Sequence, residues 1–304
     1  GVPGDFPAVK VPESFAPEDP FRRDEYVLRS HANGLWVLGA TEDAVVLAVW
    51  DLLYRLGYRL YFLTDTWEIA PRQAVLSLAV DVFEQPDYIT RQAPRGAPWS
   101  DGKLWDRWRI RNRVKSAFEL STGHAYDGIL ERHAAVFEEH PEYLGLVGGK
   151  RRGNKFCVAN PELRKLVVDD AVAQMRANPG RDSLSMEPSD GGGWCECPEC
   201  AQMGSVSDRV VILSGDVAEA INALGLGPKY VGIYAYAFHS PPPNVNVHPK
   251  VIVSLATSFI RGGFTIEKMV EGWRAKKATL GIRDTLNSGE LVVGMHPGGA
   301  MVGL

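Results

Sequence analysis

The sequence lacks a long apolar run, an excess of positive charge and a clear signal peptide. Its 304 residues are 45% hydrophobic, yet no apolar run approaches the roughly 18–20 residues that cross a bilayer, so we expect no membrane span. Lys and Arg number 33 against 37 Asp and Glu, a formal net charge of -4. Because nucleic-acid binding needs clustered positive charge, no nucleic-acid partner is expected. The chain opens on Gly1 rather than Met, which predicts that a preceding piece, such as a secretory signal, has been removed.

Other absences concern fold and chemistry. The ordinary balance of 45% hydrophobic and 23% charged residues excludes a disordered protein, a coiled coil and a collagen-like fibre. No Gly-x-Gly-x-x-Gly motif is present, so the turn at Gly39 is a weak candidate for nucleotide binding. At about 150 residues per domain, the length predicts roughly two domains.

Cysteine is scarce, but its placement is not random. Three of the four cysteines, Cys195, Cys197 and Cys200, lie within six residues, and the fourth is Cys157. Two disulfides in an oxidising compartment would explain them, and so would one zinc ion held by four thiolates; four free thiols are the third alternative. The chain has only one Cys-x-x-Cys pair, whereas zinc sites usually have two, which favours disulfides. Both roles are structural; no catalytic cysteine is expected, because no thiol stands beside a plausible His partner.

The first part of the chain has the pattern of a small domain. Residues 1–24 are rich in proline and charge, so we expect an extended lead-in there. Residues 25–80 have the pattern of a small α/β domain, with a helix that Thr41 caps and Gly57 ends. The predicted strands of this domain cover 26–28, 35–39 and 58–62.

Residues 85–285 alternate between strand-like and helical patterns, which is typical of a (β/α)8 TIM-type barrel. The predicted strands cover 88–93, 114–120, 143–147, 182–187, 230–236, 250–256 and 279–283. The predicted helices cover 160–177, 207–224 with Ser207 as its cap, and 265–279. Because only seven strands can be counted and 286–304 has the pattern of an irregular tail, the barrel is expected to be truncated at its C-terminus. The predicted fold class is therefore α/β, a barrel preceded by a small α/β domain.

The most informative segment begins where the strand over 182–187 meets a Gly-rich loop. Glu187 and Asp190 lie there, followed by three glycines and Trp194. Barrel enzymes carry catalytic residues at the carboxyl ends of strands, and two carboxylates suit glycoside hydrolysis, in which one protonates the leaving oxygen. Apolar neighbours such as Met186 and Trp194 would raise the pKa of Glu187. The alternative is an ordinary loop carboxylate at Glu187 and a turn former at Asp190.

Polar and aromatic side chains at other predicted strand ends are candidate sugar contacts. Arginine offers a forked donor for hydroxyls, and aromatic faces stack on sugar rings. The alternatives are a surface ion pair for the arginine, a core hydrogen bond for a histidine and core packing for the aromatics. The candidate substrate-binding residues are Arg91, His124, Trp194, Tyr234, Tyr236 and His239. Trp99, Trp105 and Trp108 either line the same rim or pack the first helix.

Several segments resemble a known family. The run 187–200, Glu-Pro-Ser-Asp-Gly-Gly-Gly-Trp-Cys-Glu-Cys-Pro-Glu-Cys, is similar to the signature of the bacterial domain of unknown function 4838, and so is the run 156–162. Gly123-His124 and the His-Pro-Glu-Tyr run 140–143 fit the same pattern. Residues 39–62 resemble the small α/β domain that precedes the barrel in β-hexosaminidases and α-glucuronidases. The resemblance covers approximately residues 25–285.

The resemblance implies a glycoside hydrolase, since that family includes glycoside hydrolase family 163, whose members are endo-β-N-acetylglucosaminidases. It places Glu187 where related hexosaminidases hold their acid/base carboxylate, opposite a nucleophile supplied by the substrate's own acetamido group. Residue 186 is Met, so the adjacent Asp-Glu pair of those enzymes is absent, and Asp190 takes the polarising role instead. Arg91 matches their first-strand arginine. The tail 287–304 does not resemble the family's last strands.

The favoured function is hydrolysis of a glycosidic bond next to an N-acetylhexosamine, with Glu187 as the acid/base. No metal or cofactor is needed for this chemistry, apart from the structural zinc that the cysteines could hold. The expected partner is a carbohydrate or glycan, and the expected location is secreted, periplasmic or on the surface of a bacterium. Two alternatives stay open. An α-glucuronidase-like hydrolase is disfavoured because no Glu ends the strands over 230–236 or 250–256; a carbohydrate-binding barrel without turnover is favoured by the missing strand.

Overall fold

The chain is divided into two compact units. The computed structural model describes residues 1–6, 9–11, 15–92, 101–286 and 289–295. One unit comprises 1–118 with 286–304, and the other comprises 119–285. The sequence predicted a boundary at residues 80–85, whereas the chain passes from one unit to the other between Phe118 and Glu119.

Helices and strands alternate through most of the described residues. The α-helices are α1 Glu42–Arg55, α2 Gly102–Arg111, α3 Ala125–Arg132, α4 Ala134–Glu139, α5 Pro161–Ala177, α6 Pro198–Gln202, α7 Val206–Asn222 and α8 Ile266–Ala275. The strands are β1 Tyr26–His31, β2 Gly34–Gly39, β3 Arg59–Leu60, β4 Glu68–Ile69, β5 Asp81–Glu84, β6 Tyr88–Gln92, β7 Leu144–Val147, β8 Lys150–Phe156, β9 Ser183–Ser185, β10 Tyr230–Ala235, β11 Val251–Ala256, β12 Thr279–Leu286 and β13 Gly289–Met295. Short 3-10 helices cover Pro3–Asp5, Pro20–Arg22, Asp65–Trp67, Pro141–Tyr143 and Ala237–His239.

The first unit contains the predicted small α/β arrangement. β1 pairs antiparallel with β2 and β5, in the order β2-β1-β5. Thr41 accepts a hydrogen bond from the amide of Ala44, which caps α1 as predicted. Tyr26 and Leu28 pack on Leu47 of α1 in the core. The predicted strands near 26–28 and 35–39 and the helix are confirmed, whereas 58–62 contains only the short β3, which pairs with β4.

The predicted irregular tail contains a strand. Within the first unit, β13 pairs antiparallel with β6, and Val293 lies opposite Arg91. The expectation of an irregular segment over 286–304 is therefore wrong for residues 289–295. The positions 287, 288 and 296–304 lie outside the described residues. The Gly-rich composition of this segment predicted coil, but the run Leu291-Val292-Val293 has the β-branched residues that are typical of a strand.

The second unit is built on parallel strands in the order β9-β10-β11-β12. β10 and β11 are buried along their whole length, which explains their continuous apolar sequence, typical of strands covered on both faces. Trp273 of α8 is fully buried in the main core of this unit. The predicted strands near 230–236, 250–256 and 279–283 are confirmed.

The predicted helices of this unit are also confirmed, with one change of cap. Asn160 caps α5 by accepting from the amides of Glu162 and Leu163. α7 is capped by Ser205 rather than by Ser207, because Ser205 forms a reciprocal capping box with Asp208. The hydroxyl of Ser207 instead donates to the carbonyl of Pro241.

One predicted strand is wrong, and a second is confirmed as a strand but lies in a separate hairpin. Residues 114–120 form no strand; within the second unit, the segment 119–124 lies beside β9, but side chains hold it. Ser183 Oγ accepts from the amide of Ser121 and donates to the carbonyl of Glu119, and only His124 and Glu187 form a parallel bridge. The predicted strand 143–147 is β7, but it pairs antiparallel with β8 in a separate hairpin. The polar sequence of β8, Lys-Arg-Arg-Gly-Asn-Lys-Phe, gave no strand signal.

The (β/α)8 barrel stays a prediction. A barrel of this type consists of parallel strands joined by helices, as in β11-α8-β12. The second unit has four neighbouring parallel strands in the described residues. The connection from β10 to β11 departs from that plan, because it contains the 3-10 helix Ala237–His239 and three prolines in place of an α-helix. None of the helices in the described part of the chain is long and apolar enough to cross a membrane.

Candidate active site

Glu187 lies two residues beyond β9, at the carboxyl end of the strand, as predicted. Its backbone is fixed on both sides: its amide donates to Ser185 Oγ at 3.1 Å and its carbonyl accepts from the amide of Ala125 at 2.7 Å. Its carboxylate turns toward the neighbouring strand. Oε2 accepts from the amide of Tyr234 at 2.7 Å, and Oε1 lies 3.0 Å from Nε2 of His239. The side chain is only 1% exposed, so both oxygens are bound inside the protein.

His239 completes this buried pair. It ends the 3-10 helix that follows β10, and its side chain is 4% exposed. The turn that places it is strained, since Ala237 has φ 46°, in the left-handed region that a residue with a Cβ seldom adopts. Nδ1 of His239 is buried with no hydrogen-bond partner among the described residues. An orphaned buried nitrogen beside a carboxylate calls for a functional explanation.

A second orphaned nitrogen lies on the neighbouring ring. The indole of Trp194 and the imidazole of His239 pack edge-on with centroids 5.8 Å apart, and Nε1 of Trp194 is also buried without a partner in the described part of the chain. The ring of Tyr236 packs edge-on against His239 at 6.3 Å and against Phe259 at 5.5 Å. Phe259 is 68% exposed, so this series of rings extends from the buried pair to solvent.

Asp190 lies on the Gly-rich loop, and its side chain is 67% exposed. Its Oδ2 is 3.3 Å from Nε2 of His124, whose Nδ1 is 2.8 Å from the carbonyl of Pro188. A carbonyl can only accept, so Nδ1 carries a proton. The contact between Nε2 and the carboxylate is then favourable only when a second proton lies between them. The predicted residues His124 and Asp190 are thus brought together, in contact with solvent.

Lys155, which the sequence reasoning missed, lies under this loop. It is fully buried, and its Nζ donates to the carbonyls of Ser189 and Asp190 and to Oδ1 of Asn154. Burial lowers its pKa, against the opposing effect of nearby carboxylates such as Asp127. No sequence signal marks this lysine, because its main partners are backbone carbonyls. It fixes the start of the loop that carries Asp190.

Tyr234 and Tyr236 occupy different environments although both lie at the end of β10. The hydroxyl of Tyr234 lies 2.7 Å from that of Thr122, and Arg283 covers the ring at 4.0 Å from its centroid. Burial raises the pKa of Tyr234, and the residue is buried, which favours a packing role over the predicted sugar contact. Tyr236 is partly exposed, and burial, together with the charge of Asp190, raises its pKa. Tyr236 is therefore the better placed of the two for ligand contact.

Arg91 lies in the first unit, and its guanidinium binds acceptors of the same unit. Its guanidinium forms an ion pair with Asp24 at 2.6 Å and donates to the carbonyls of Tyr88, Lys115 and Arg113. This set of partners favours a structural role over the predicted contact with sugar hydroxyls. Trp105 and Trp108 stack on each other in α2 of the same unit at 5.2 Å, and Trp99 lies outside the described residues.

A cavity of about 260 Å³ is lined by residues of α3, α5 and β9. His124 and Ser185 are among them, and so are Arg132 and Asp170, which pair with each other at 2.7 Å. Glu187 is not among its lining residues. The carboxylate site at the strand ends and this cavity are therefore separate features of the second unit.

The four cysteines converge, as predicted, but none of them forms a disulfide. Their sulfur atoms all lie within 4.8 Å of one another, and all four residues are buried. Cys195 follows Trp194 directly, so the cluster begins where the Gly-rich loop ends. The arrangement does not match the disulfides that the sequence favoured and is consistent with both alternatives, four free thiols or one shared metal ion.

Comparison with models of protein families gives a match. Residues 62–277 match the family model described as domain of unknown function (DUF4838). This range contains β4 to α8 and includes Glu187, Asp190 and His239 of the candidate site. No curated protein matches the chain.

Proposed function

The chain belongs to the DUF4838 family of domains of unknown function, and we propose that it hydrolyses a glycosidic bond in a carbohydrate or glycan. The observation that carries the proposal is the buried pair of Glu187 and His239 at the ends of adjacent parallel strands, bordered by Trp194 and Tyr236. Carboxylates at strand ends are where barrel hydrolases keep their chemistry, and aromatic rings beside them suit a sugar face.

The two orphaned nitrogens support a polar ligand at this position. Nε1 of Trp194 and Nδ1 of His239 are both buried without partners in the described residues, and each such group costs about 1–3 kcal/mol. A ligand hydroxyl or amide that reached them would recover this energy. Sugars supply such groups on the edge of a ring whose face is apolar, which matches nitrogens set among aromatic rings.

Glu187 is the proposed acid/base. In the first step its carboxyl proton passes to the glycosidic oxygen while the acetamido oxygen of the substrate bonds to the anomeric carbon and the glycosidic bond breaks. In the second step the carboxylate takes a proton from water, which attacks the anomeric carbon and displaces the acetamido oxygen. His239 is a positioning residue that holds Oε1 at 3.0 Å. Because Glu187 is 1% exposed, the reaction requires the residues that cover its carboxylate to move aside.

Asp190 has a different role in the proposal. It is exposed, and its Oδ2 lies 3.3 Å from Nε2 of His124, so it can contact the substrate without any movement of the protein. We assign to it the polarisation of an acetamido group on the sugar, which makes an N-acetylhexosamine next to the cleaved bond the preferred substrate. The finer likeness to glycoside hydrolase family 163 and to β-hexosaminidases is part of this proposal.

One observation favours a second candidate, a carbohydrate-binding domain without turnover. Both carboxylate oxygens of Glu187 are hydrogen-bonded inside the protein, which is also what a purely structural carboxylate would show. In that case the exposed groups, Asp190, His124 and Tyr236, would bind the sugar, and Glu187 would only hold β10 and His239 in place.

Release of reducing ends from an N-glycoprotein and from a panel of aryl N-acetylhexosaminides separates the two. We expect turnover by the unmodified chain, its loss in E187Q, and unchanged turnover in E271Q, which alters an exposed carboxylate on α8. Turnover that survives in E187Q would move the acid to Asp190. No turnover by a chain that unfolds cooperatively and binds the same sugars would favour the binding domain.

A further inference from the structure

The four cysteines come from two parts of the second unit. Cys157 directly follows β8, and Cys195, Cys197 and Cys200 follow the Gly-rich loop, with Cys197 as the N-cap of the short helix α6. The hairpin β7–β8 and this turn face each other, since the amide of Glu196 donates to the carbonyl of Leu146 at 2.8 Å. All four side chains are buried and closed off from solvent.

The distances between the sulfur atoms fit a tetrahedral metal. Thiolates about 2.3 Å from a tetrahedral zinc ion lie about 3.8 Å from one another. Sγ of Cys157 is 3.7 Å from that of Cys197 and 3.9 Å from that of Cys200, and no pair of the four exceeds 4.8 Å. A disulfide would require about 2.05 Å. Four unlinked sulfurs packed at this spacing are the arrangement of a closed structural zinc site.

Backbone amides are directed at three of the sulfurs. The amide of Leu146 donates to Sγ of Cys195 at 3.3 Å, that of Cys200 to Sγ of Cys197 at 3.4 Å, and that of Ala159 to Sγ of Cys200 at 3.5 Å. Such outer contacts orient metal ligands and offset their charge. A zinc ion with four thiolates carries a net charge of -2. An N–H donor stabilises a thiolate more than a neutral thiol, so these bonds favour the metal-bound form.

Arg151 supplies a positive charge at the same place. It lies on β8, and its guanidinium donates to the carbonyl of Leu144 at 3.0 Å and approaches Sγ of Cys195 at 3.7 Å. A partly buried arginine against a cluster of uncharged thiols would gain little there. Against a site with net negative charge, it stabilises the bound state.

We propose that Cys157, Cys195, Cys197 and Cys200 hold one structural zinc ion. The set is closed, with four protein ligands and no position for water or substrate, so the ion is structural rather than catalytic. It connects the end of β8 to the turn that follows Trp194. The ion therefore fixes the end of the Gly-rich loop, whose start is fixed by Lys155. The inference is independent of glycoside hydrolysis, because it rests on none of the residues of the proposed acid/base.

Metal analysis of the full chain, purified without chelator, tests the proposal. We expect one zinc per chain, released in full when a mercurial reagent titrates four thiols, and cobalt substitution that gives the thiolate charge-transfer and d–d bands of a tetrahedral four-sulfur site. C157S and C200S should each lose the metal. E162Q is the matched control, since it alters an exposed residue in the first turn of α5, outside the cluster, and should keep one zinc.

Three results would overturn the assignment. Iron bound at the same stoichiometry would assign the site to another metal. A chain that stays metal-free after refolding with zinc, and shows four titratable thiols, would exclude the site. Absence of titratable thiols in denaturant would show two disulfides instead. Because metal content and the cobalt spectrum are measured on the unmodified chain, failure of a cysteine variant to fold leaves the test intact.

Discussion

Glu187 and His239 form a buried pair at 3.0 Å in which the second carboxylate oxygen holds the amide of Tyr234 and the second imidazole nitrogen has no partner in the described residues. The pair lies between β10 and the Gly-rich loop. Both oxygens of the carboxylate therefore have hydrogen-bond partners, whereas one imidazole nitrogen has none in the described residues.

Loss of His239 should destabilise the second unit. H239A leaves Oε1 of Glu187 buried without its partner, and such a group costs about 1–3 kcal/mol. Urea unfolding should show this decrease. H140A, which removes an exposed histidine of the same unit, should change the unfolding free energy by less than about 0.5 kcal/mol. Additive effects of H239A and E187Q in the double variant would contradict a direct interaction between the two side chains.

Gly232 should not tolerate a side chain. A Cβ at this position of β10 would overlap the carbonyl oxygen of Ser121, and the neighbouring atoms belong to Thr122 and Leu120. We expect G232A to lose about 1–3 kcal/mol of stability. G215A is the matched control: a Cβ there would meet the nearest atom, on His248, at 3.5 Å. Because Gly215 lies within α7, G215A should be neutral or should gain up to about 1 kcal/mol. Equal effects would argue against close approach of the segment 119–124 to β10.

The first unit should lose stability as the pH rises through the acid range. Burial raises the pKa of Glu25 to about 7, with Arg22 opposing the shift, whereas in the unfolded chain it should be near 4.3. Between these two values the unfolded state binds fewer protons than the folded state, so the free energy of unfolding falls as the pH rises. E25Q should remove this fall and raise stability at neutral pH. Unfolding followed by urea at several pH values measures both effects; an unchanged profile in E25Q would assign the pH dependence to other groups.

Asp190 should matter for turnover and hardly for stability. The pair with His124 is largely exposed, and such pairs contribute about 0–1 kcal/mol. In the proposed reaction, however, the carboxylate stabilises charge on the acetamido group, so D190N should lower kcat by about 10²-fold on N-acetylated substrates while Tm stays unchanged. E271Q, assayed on the same substrates, is the control. A rise in KM with unchanged kcat in D190N would assign Asp190 to binding in general.

Much of the fold could be predicted because the signals are local. The apolar runs of β10 and β11 and the capped helix α5 follow from adjacent residues alone. Antiparallel pairing of β7 with the polar strand β8 could not be predicted, since β8 has no apolar pattern. The position of the segment 119–124 could not be predicted either. The side chains of Asp182 and Ser183 hold it beside β9, in place of a regular ladder of backbone hydrogen bonds.

The site divides in the same way. The sequence placed Glu187 and His239 at the ends of strands. It could not predict that the two side chains contact each other, because 52 residues separate them. The partners of Arg91 were equally hidden: Asp24 lies 67 residues earlier, and the other acceptors are carbonyls, which every residue carries. The cysteines could be grouped by spacing, yet their state depended on distances that only the folded chain defines.

The segment 119–124 also bears on solubility. A terminal strand of a parallel sheet presents unpaired amides and carbonyls to which a second chain can add, and β9 would be such an edge if this segment were absent. The side chains of Asp182 and Ser183 bind the backbone of 119–121 and so occupy that edge without a regular ladder. Few bonds hold the segment, so limited local unfolding would expose β9. Self-association under mild denaturing conditions is therefore expected to begin at this edge, well before the parallel strands themselves separate.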